Sequence, residues 1–169
     1  MTASDTRLTR FLDRQGVSYY RRPHQRDYRA KQTARHCETP PQQFAKTVVL
    51  NADGSQLIAV LPANEYLDLD LMRQQLGVRS LELLPEHSIM SLFPDCEIGA
   101  EPPFGNLYGI PVYVSPHLAE TSSIVFNAGT HDEAVEIAFT AFHRLVHPIV
   151  IPMTTDDAER GESSQIPSG

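Results

Sequence analysis

Residues 44–61 read FAKTVVLNADGSQLIAVL, and this stretch decides the fold class. Two runs of aliphatic and β-branched residues flank Asn51-Ala52-Asp53-Gly54. An Asp-Gly pair between such runs is a strong short-range hairpin signal. The reading predicts antiparallel strands over residues 44–50 and 56–61. The chain has only two lysines, Lys31 and Lys46, and Lys46 lies inside the first of these strands. Period-two alternation puts it on the face of Phe44, Val48 and Leu50. A lysine aimed at an apolar face snorkels to solvent, pairs with a carboxylate, or meets an anionic ligand. Two readings stay open: a strand-end lysine reaching water, and a cation for a phosphate or a polarised carbonyl oxygen.

Outward from the hairpin, helical spacing predicts a helix over residues 5–15, with Leu8, Phe11 and Leu12 on one face and Gly16 as the stop. A strand over 17–21 and a short helix over 29–36 follow. Downstream, the pattern predicts a helix over 67–76 ending at Gly77, a strand over 80–84, and a helix over 85–93 opened by proline. Strands are expected at 112–114 and 123–127. The longest helix is expected from His131 to Val146, with Val135, Phe139, Phe142 and Val146 as its buried stripe. From Thr154 the sequence turns polar, so residues 1–153 are read as one domain and 154–169 as a disordered tail. The fold class is α+β, a mixed and mostly antiparallel sheet surrounded by helices.

At 169 residues, 41% hydrophobic and 21% charged, the chain is long enough for one domain with its own core. No apolar run approaches the roughly 20 residues of a bilayer span, so no membrane partner is expected. Cys37 and Cys96 form no C-x-x-C pair, which fits free thiols in the cytoplasm. The net charge of −7 is unevenly spread. Residues 1–36 carry nine Lys/Arg against three Asp, and the remainder five against 18 Asp/Glu. The basic start either solvates its own elements or docks a polyanion.

Residues 127–133 (NAGTHDE) read as a loop feeding a helix, with Thr130 as N-cap and Glu133 closing a capping box. His131 then sits at the first helical position, where the dipole favours a neutral imidazole able to hydrogen bond a ligand. Gly99, Pro102, Pro103, Gly105 and Gly109 make a stiffened loop whose main chain can approach a ligand, or an ordinary surface connection. His143 and His147 share a helix face without a third ligand at metal spacing, so no metal is expected. Neither cysteine carries a nucleophile signature, and no G-x-S-x-G elbow is present.

Taken together, FAKTVVL at 44–50, IAVLPA at 58–63, DCEIGAEPPFGNLYGIPVYV at 95–114 and FNAGTHDE at 126–133 resemble the YbaK/EbsC family of free-standing aminoacyl-tRNA deacylases, relatives of the editing domain of prolyl-tRNA synthetases. The resemblance implies hydrolysis in trans of the ester on a mischarged tRNA, tRNA for proline carrying a small amino acid, without metal or other cofactor and without DNA. It implies Lys46 and His131 as catalytic residues. Gly99, Ala100, Glu101, Pro102, Pro103, Gly105 and Gly129 would bind substrate, and His24 resembles a further family position. Contacts to tRNA would lie on the Arg-rich first 36 residues or on a partner such as an aminoacyl-tRNA synthetase. Glu101 departs from a phosphate-facing site, and if it points inward the resemblance leaves it to recognise an α-ammonium. The competing class is a non-catalytic module holding an aminoacyl-tRNA end, a nucleotide or a small metabolite in the same pocket.

Overall fold

The computed structural model describes residues 6–27 and 29–157. The hairpin forms as expected: β2 (Ala45–Ala52) and β3 (Ser55–Pro62) pair antiparallel, joined by Asp53 and Gly54 at φ +49° and +91°. Two consecutive positive φ values are what a two-residue type I′ turn requires. Ahead of the hairpin stand α1 (Arg7–Arg14), β1 (Tyr20–Pro23) and α2 (Ala30–His36). The hydroxyls of Thr6 and Thr9 cap the start of α1 reciprocally, and Gly16 at φ +68° releases the chain after it. The first strand lies a few residues later than expected, at 20–23, where Tyr20 pairs with Glu136 and Pro23 with Glu133.

After the hairpin come α3 (Leu69–Leu76), β4 (Leu81–Leu83), α4 (Glu86–Leu92), a 3-10 turn (Gly105–Leu107), β5 (Val112–Val114), α5 (Pro116–Ala119) and β6 (Ser123–Asn127). The chain closes with β7 (Glu133–Ala138), α6 (Phe139–Val146) and β8 (Ile149–Val150). A mixed five-stranded sheet runs β4-β2-β3-β5-β8, and a separate three-stranded antiparallel sheet runs β1-β7-β6. The class is α+β, with the strands divided between two sheets that meet at a bridge from Phe44 to Val125. The main core lies between the sheets and under α1 and α6, built on Leu8, Leu12, Ile58, Val60, Phe104, Phe126, Val135 and Phe142. The opposite face of β2 and β3 packs Leu50, Leu57, Ala59 and Leu61 beneath Met72 of α3.

The longest expected helix is corrected. Its first part, Glu133–Ala138, is a strand bonded to β6 on one side and β1 on the other, and the helix begins only at Phe139. Val135 and Ile137 enter the main core two residues apart, so a period of two governs this segment. The capping box goes with it: the Thr130 hydroxyl donates to the Asp132 carboxylate at 2.8 Å, and His131 stands on no helix dipole. The start of the expected tail packs against the domain. Thr154 and Asp157 are buried, and Leu67 bridges Thr154. Residues 158–169 of the expected tail lie outside the described residues. Among the described residues, no helix is long and apolar enough to cross a membrane.

Candidate active site

The site begins with an incomplete strand pairing. β4 covers β2 only over Leu50–Ala52, with Leu84 N–H reaching the Val49 carbonyl. At the other end, β6 touches β2 through the Phe44–Val125 bridge, and Val125 N–H donates to Gln43 O. Between these contacts, residues 45–48 have a partner strand on one side only. Ile58 N–H donates to Pro111 O and Val60 O accepts from Ser115 N–H, so these β3 residues bond towards β5. Thr47, opposite Val60 in a non-hydrogen-bonded pair, therefore turns its own N–H and C=O to the open edge.

A cavity of about 190 Å³ fills this opening. The edge of β2 forms one wall through Phe44, Ala45, Lys46, Thr47 and Val48, with Ala30 of α2, Gly99, Glu101 and Asn127 opposite. A second compartment of about 200 Å³ continues along the same edge and shares Thr47, Val48, Gly99 and Glu101 with the first. Its own lining is mostly aliphatic: Val49, Leu83, Leu84, Ile89 and Ile98, with Glu86 at the side.

Lys46 is half-buried at the rim, and its Nζ donates to the Glu65 main-chain carbonyl at 3.0 Å. The ammonium also lies 5.7 Å from the centre of the Tyr66 ring. Burial lowers its pKa from 10.5, and the Glu65 carboxylate partly opposes that fall. Glu65 is itself held. Its Oε2 lies 2.6 Å from His117 Nδ1, and its Oε1 accepts from the Thr154 hydroxyl at 2.7 Å. Asp157 completes the cluster, 3.5 Å from His117 Nε2, while its other oxygen accepts the Met153 and Thr154 amides. Glu65, His117 and Asp157 offer ligand-type atoms within 4.8 Å of one another. The contacts just described already engage both carboxylates and His117 Nδ1.

Glu101 is 3% exposed, and its Oε1 accepts the Gly99 amide at 3.1 Å. Burial raises its pKa above the ordinary 4.5, against the opposing effect of the backbone bonds and of His131. Gly99 is at φ +86°, and a Cβ there would stand 3.3 Å from His131 Cε1. His131 does not line the cavity. It is buried beneath the loop, its Nε2 2.6 Å from the Ile98 carbonyl and its main-chain N–H donating to Glu97 Oε1 at 2.9 Å. A carbonyl partner requires the proton on Nε2.

The other residues singled out in the sequence hold this loop from behind. Ala100, Pro102 and Pro103 are buried, and Gly129 N–H donates to Ala100 O while Glu97 N–H donates to Gly129 O. Gly105 lies away from the cavity, so close to the chain ahead that a Cβ would meet Ile110 O at 2.1 Å. His24 is outside the lining as well; its Nδ1 is 2.7 Å from Gln25 O. Burial pushes the Cys96 thiol up to about 12 and raises Cys37 too, which suits neither to nucleophilic attack at neutral pH. Sequence reading missed Thr47, Asn127 and the Glu65 cluster, since their roles arise from an open sheet edge and from contacts across long separations.

The model of the family described as "Aminoacyl-tRNA editing domain" matches residues 24–145. No curated protein matches the chain. Among solved structures, one provisionally assigned as a trans-editing enzyme for prolyl-tRNA synthetase superposes with TM-score 0.78 at 18% identity, over 91% of this chain and 98% of that one. A hypothetical protein matches with TM-score 0.78 at 14% identity, over 88% and 99%. A protein from Marinobacter aquaeolei VT8, provisionally assigned to signal transduction, matches with TM-score 0.71 at 17% identity over 89% of this chain and 31% of its own.

Proposed function

The chain belongs to the aminoacyl-tRNA editing domain family, and from that premise we propose that it is a trans-acting deacylase. Its substrate in this reading is a mischarged tRNA, tRNA for proline carrying a small amino acid. The observation that carries the reading is Lys46, an ammonium fixed by Glu65 O at the rim of a small cavity roofed by Gly99 and Glu101.

An aminoacyl ester is already activated, so positioning and charge stabilisation supply most of what its hydrolysis needs. Lys46 neutralises the terminal phosphate or the oxyanion that develops on the ester carbonyl. Water attacks the carbonyl carbon, and the bond from that carbon to the ribose oxygen breaks. One proton of the water passes to the ribose oxygen and the other to solvent, and the amino acid leaves as its carboxylate. Among the described residues lining the cavity the one carboxylate is Glu101, whose Oε1 accepts the Gly99 amide, and activation of the water is assigned to the ribose 2′-hydroxyl of the substrate. His131 serves as a positioning residue, holding the Ile98–Gly99 turn from below. The adjoining aliphatic compartment is suited to an uncharged side chain.

The test is release of labelled Ala, Cys and Ser from tRNA for proline by wild type and by Lys46→Ala. Wild type should turn over repeatedly, and the variant should lose about 10²–10³-fold in rate with its thermal midpoint nearly unchanged. Wild-type rates in a folded Lys46→Ala protein would remove Lys46 from the mechanism. The longer signalling-type relative, in which this fold is under a third of the chain, keeps a second reading in play: a binding module. Stoichiometric binding without turnover would establish it.

A further inference from the structure

The cleft along β2 holds two opposite charges, and the hydrolysis above uses only the positive one. The other, Glu101, is almost completely buried, and its Oε1 is met by a main-chain N–H from Gly99. Among the described residues, no lysine or arginine pairs with it. His131 lies close enough to favour the ionised form, but its Nε2 is turned to the Ile98 carbonyl. A buried carboxylate without a cationic partner is costly and is retained where a ligand brings the cation. A second acceptor lies in the same lining: Asn127 Oδ1 is buried and has no hydrogen-bond partner. The main-chain carbonyl of Thr47, on the open strand edge, is a third.

The two compartments fix how an aminoacyl ester would lie. Its α-carbon carries a carbonyl, a side chain and an amino group. With the carbonyl towards Lys46 and the side chain in the aliphatic compartment, the amino group falls between them, where Gly99 and Glu101 line both spaces. We propose that Glu101, with Asn127 as second acceptor, reads the free α-ammonium group of the substrate, so that this protein accepts α-amino acid esters and discriminates against their N-acylated forms. The proposal rests on the deacylase reading above. N-acylation removes the charge that Glu101 would meet and adds bulk within about 190 Å³. Esters with a blocked amine, such as formylated or peptidyl-tRNA, are thereby spared.

The experiment compares alanyl-tRNA with the same tRNA after N-acetylation, using wild type and Glu101→Gln. Acetylation alters the intrinsic lability of the ester equally for both proteins, so the free-to-acetylated rate ratio in one protein against the other isolates Glu101. The ratio of kcat/KM should be at least tenfold lower in Glu101→Gln, carried mainly by KM for the free amine. In wild type the same ratio should fall as the pH is lowered and the carboxylate takes up a proton, a measurement that needs no variant. An unchanged ratio in a folded Glu101→Gln protein, or a ratio flat with pH, overturns the assignment while the deacylase reading stands. Failure of wild type to release either substrate overturns both.

Discussion

At the scale of single residues, the site sets stability against binding. Burial raises the Glu101 pKa, so the folded state holds its proton more tightly than the unfolded chain does. The stabilising contribution is complete below the unfolded value of 4.5 and is lost as pH rises through the folded one. Glu101→Gln removes that loss, and urea midpoints should show the variant gaining on wild type as pH rises above 4.5. A gap that stays constant with pH would mean the carboxylate is not penalised. Lys46 has the opposite shift, so its ammonium gives up its proton below 10.5 and the alkaline arm of substrate binding should begin there. Glycines divide in the same way. Gly105→Ala drives a Cβ against Ile110 O at 2.1 Å and should cost roughly 3 kcal/mol. Gly99→Ala, strained at φ +86° and 3.3 Å from His131, should cost roughly 1–2 kcal/mol and move the loop that carries Glu101. Chemical denaturation of the two variants checks both numbers.

At the scale of elements, local chemistry was legible and partner-dependent structure was not. The Asp53-Gly54 turn, the Gly16 and Gly77 helix stops and the proline opening of α4 rest on backbone preferences within a few residues, and each stands as read. Residues 133–138 went the other way, while the helix stands over Phe139–Val146, because Val135 falls on one helical stripe with Phe139, Phe142 and Val146. The pairing of Glu133–Ala138 with both β1 and β6 outweighs that periodicity. Lys46 and the Gly99 turn, singled out by their pattern, line one cavity. Thr154 and Asp157 were hidden in a polar stretch, because the groups they bind lie far away: Glu65 is 89 residues from Thr154. That latch supports a prediction of its own. Asp157→Ala leaves the Met153 and Thr154 amides without their acceptor and should cost about 3 kcal/mol. Truncation after Met153 should cost at least as much by urea midpoint. A truncated chain as stable as the full one would return residues 154–157 to the status of a tail.

At the scale of the molecule, four of the nine cations in residues 1–36 are paired, among the described residues, with carboxylates of the acidic body. Arg7 pairs with Asp95, Arg21 with Glu133, Arg22 with Glu136, and Arg26 with both Glu97 and Asp132. These arginines fasten the N-terminal segment to the acidic body and lie near carboxylates that would repel a phosphate backbone. Lys31 and Arg35 are placed differently. They are exposed on α2, four residues apart and so on one helix face, and α2 contributes Ala30 to the wall of the cavity. A tRNA acceptor end entering the cavity would bring its phosphates to that face. Each cation engaged with a single-stranded or duplex phosphate contributes roughly 0.7–0.9 to the slope of log affinity against log salt. Lys31→Ala with Arg35→Ala should therefore lower the slope by roughly 1.5 and weaken tRNA binding at low salt, with aminoacyl-adenosine hydrolysis retained. Arg22→Ala should instead lower stability and leave the slope alone. Filter binding over a salt series with both proteins decides between a docking face on α2 and one elsewhere, because only the first makes the slope depend on these two side chains.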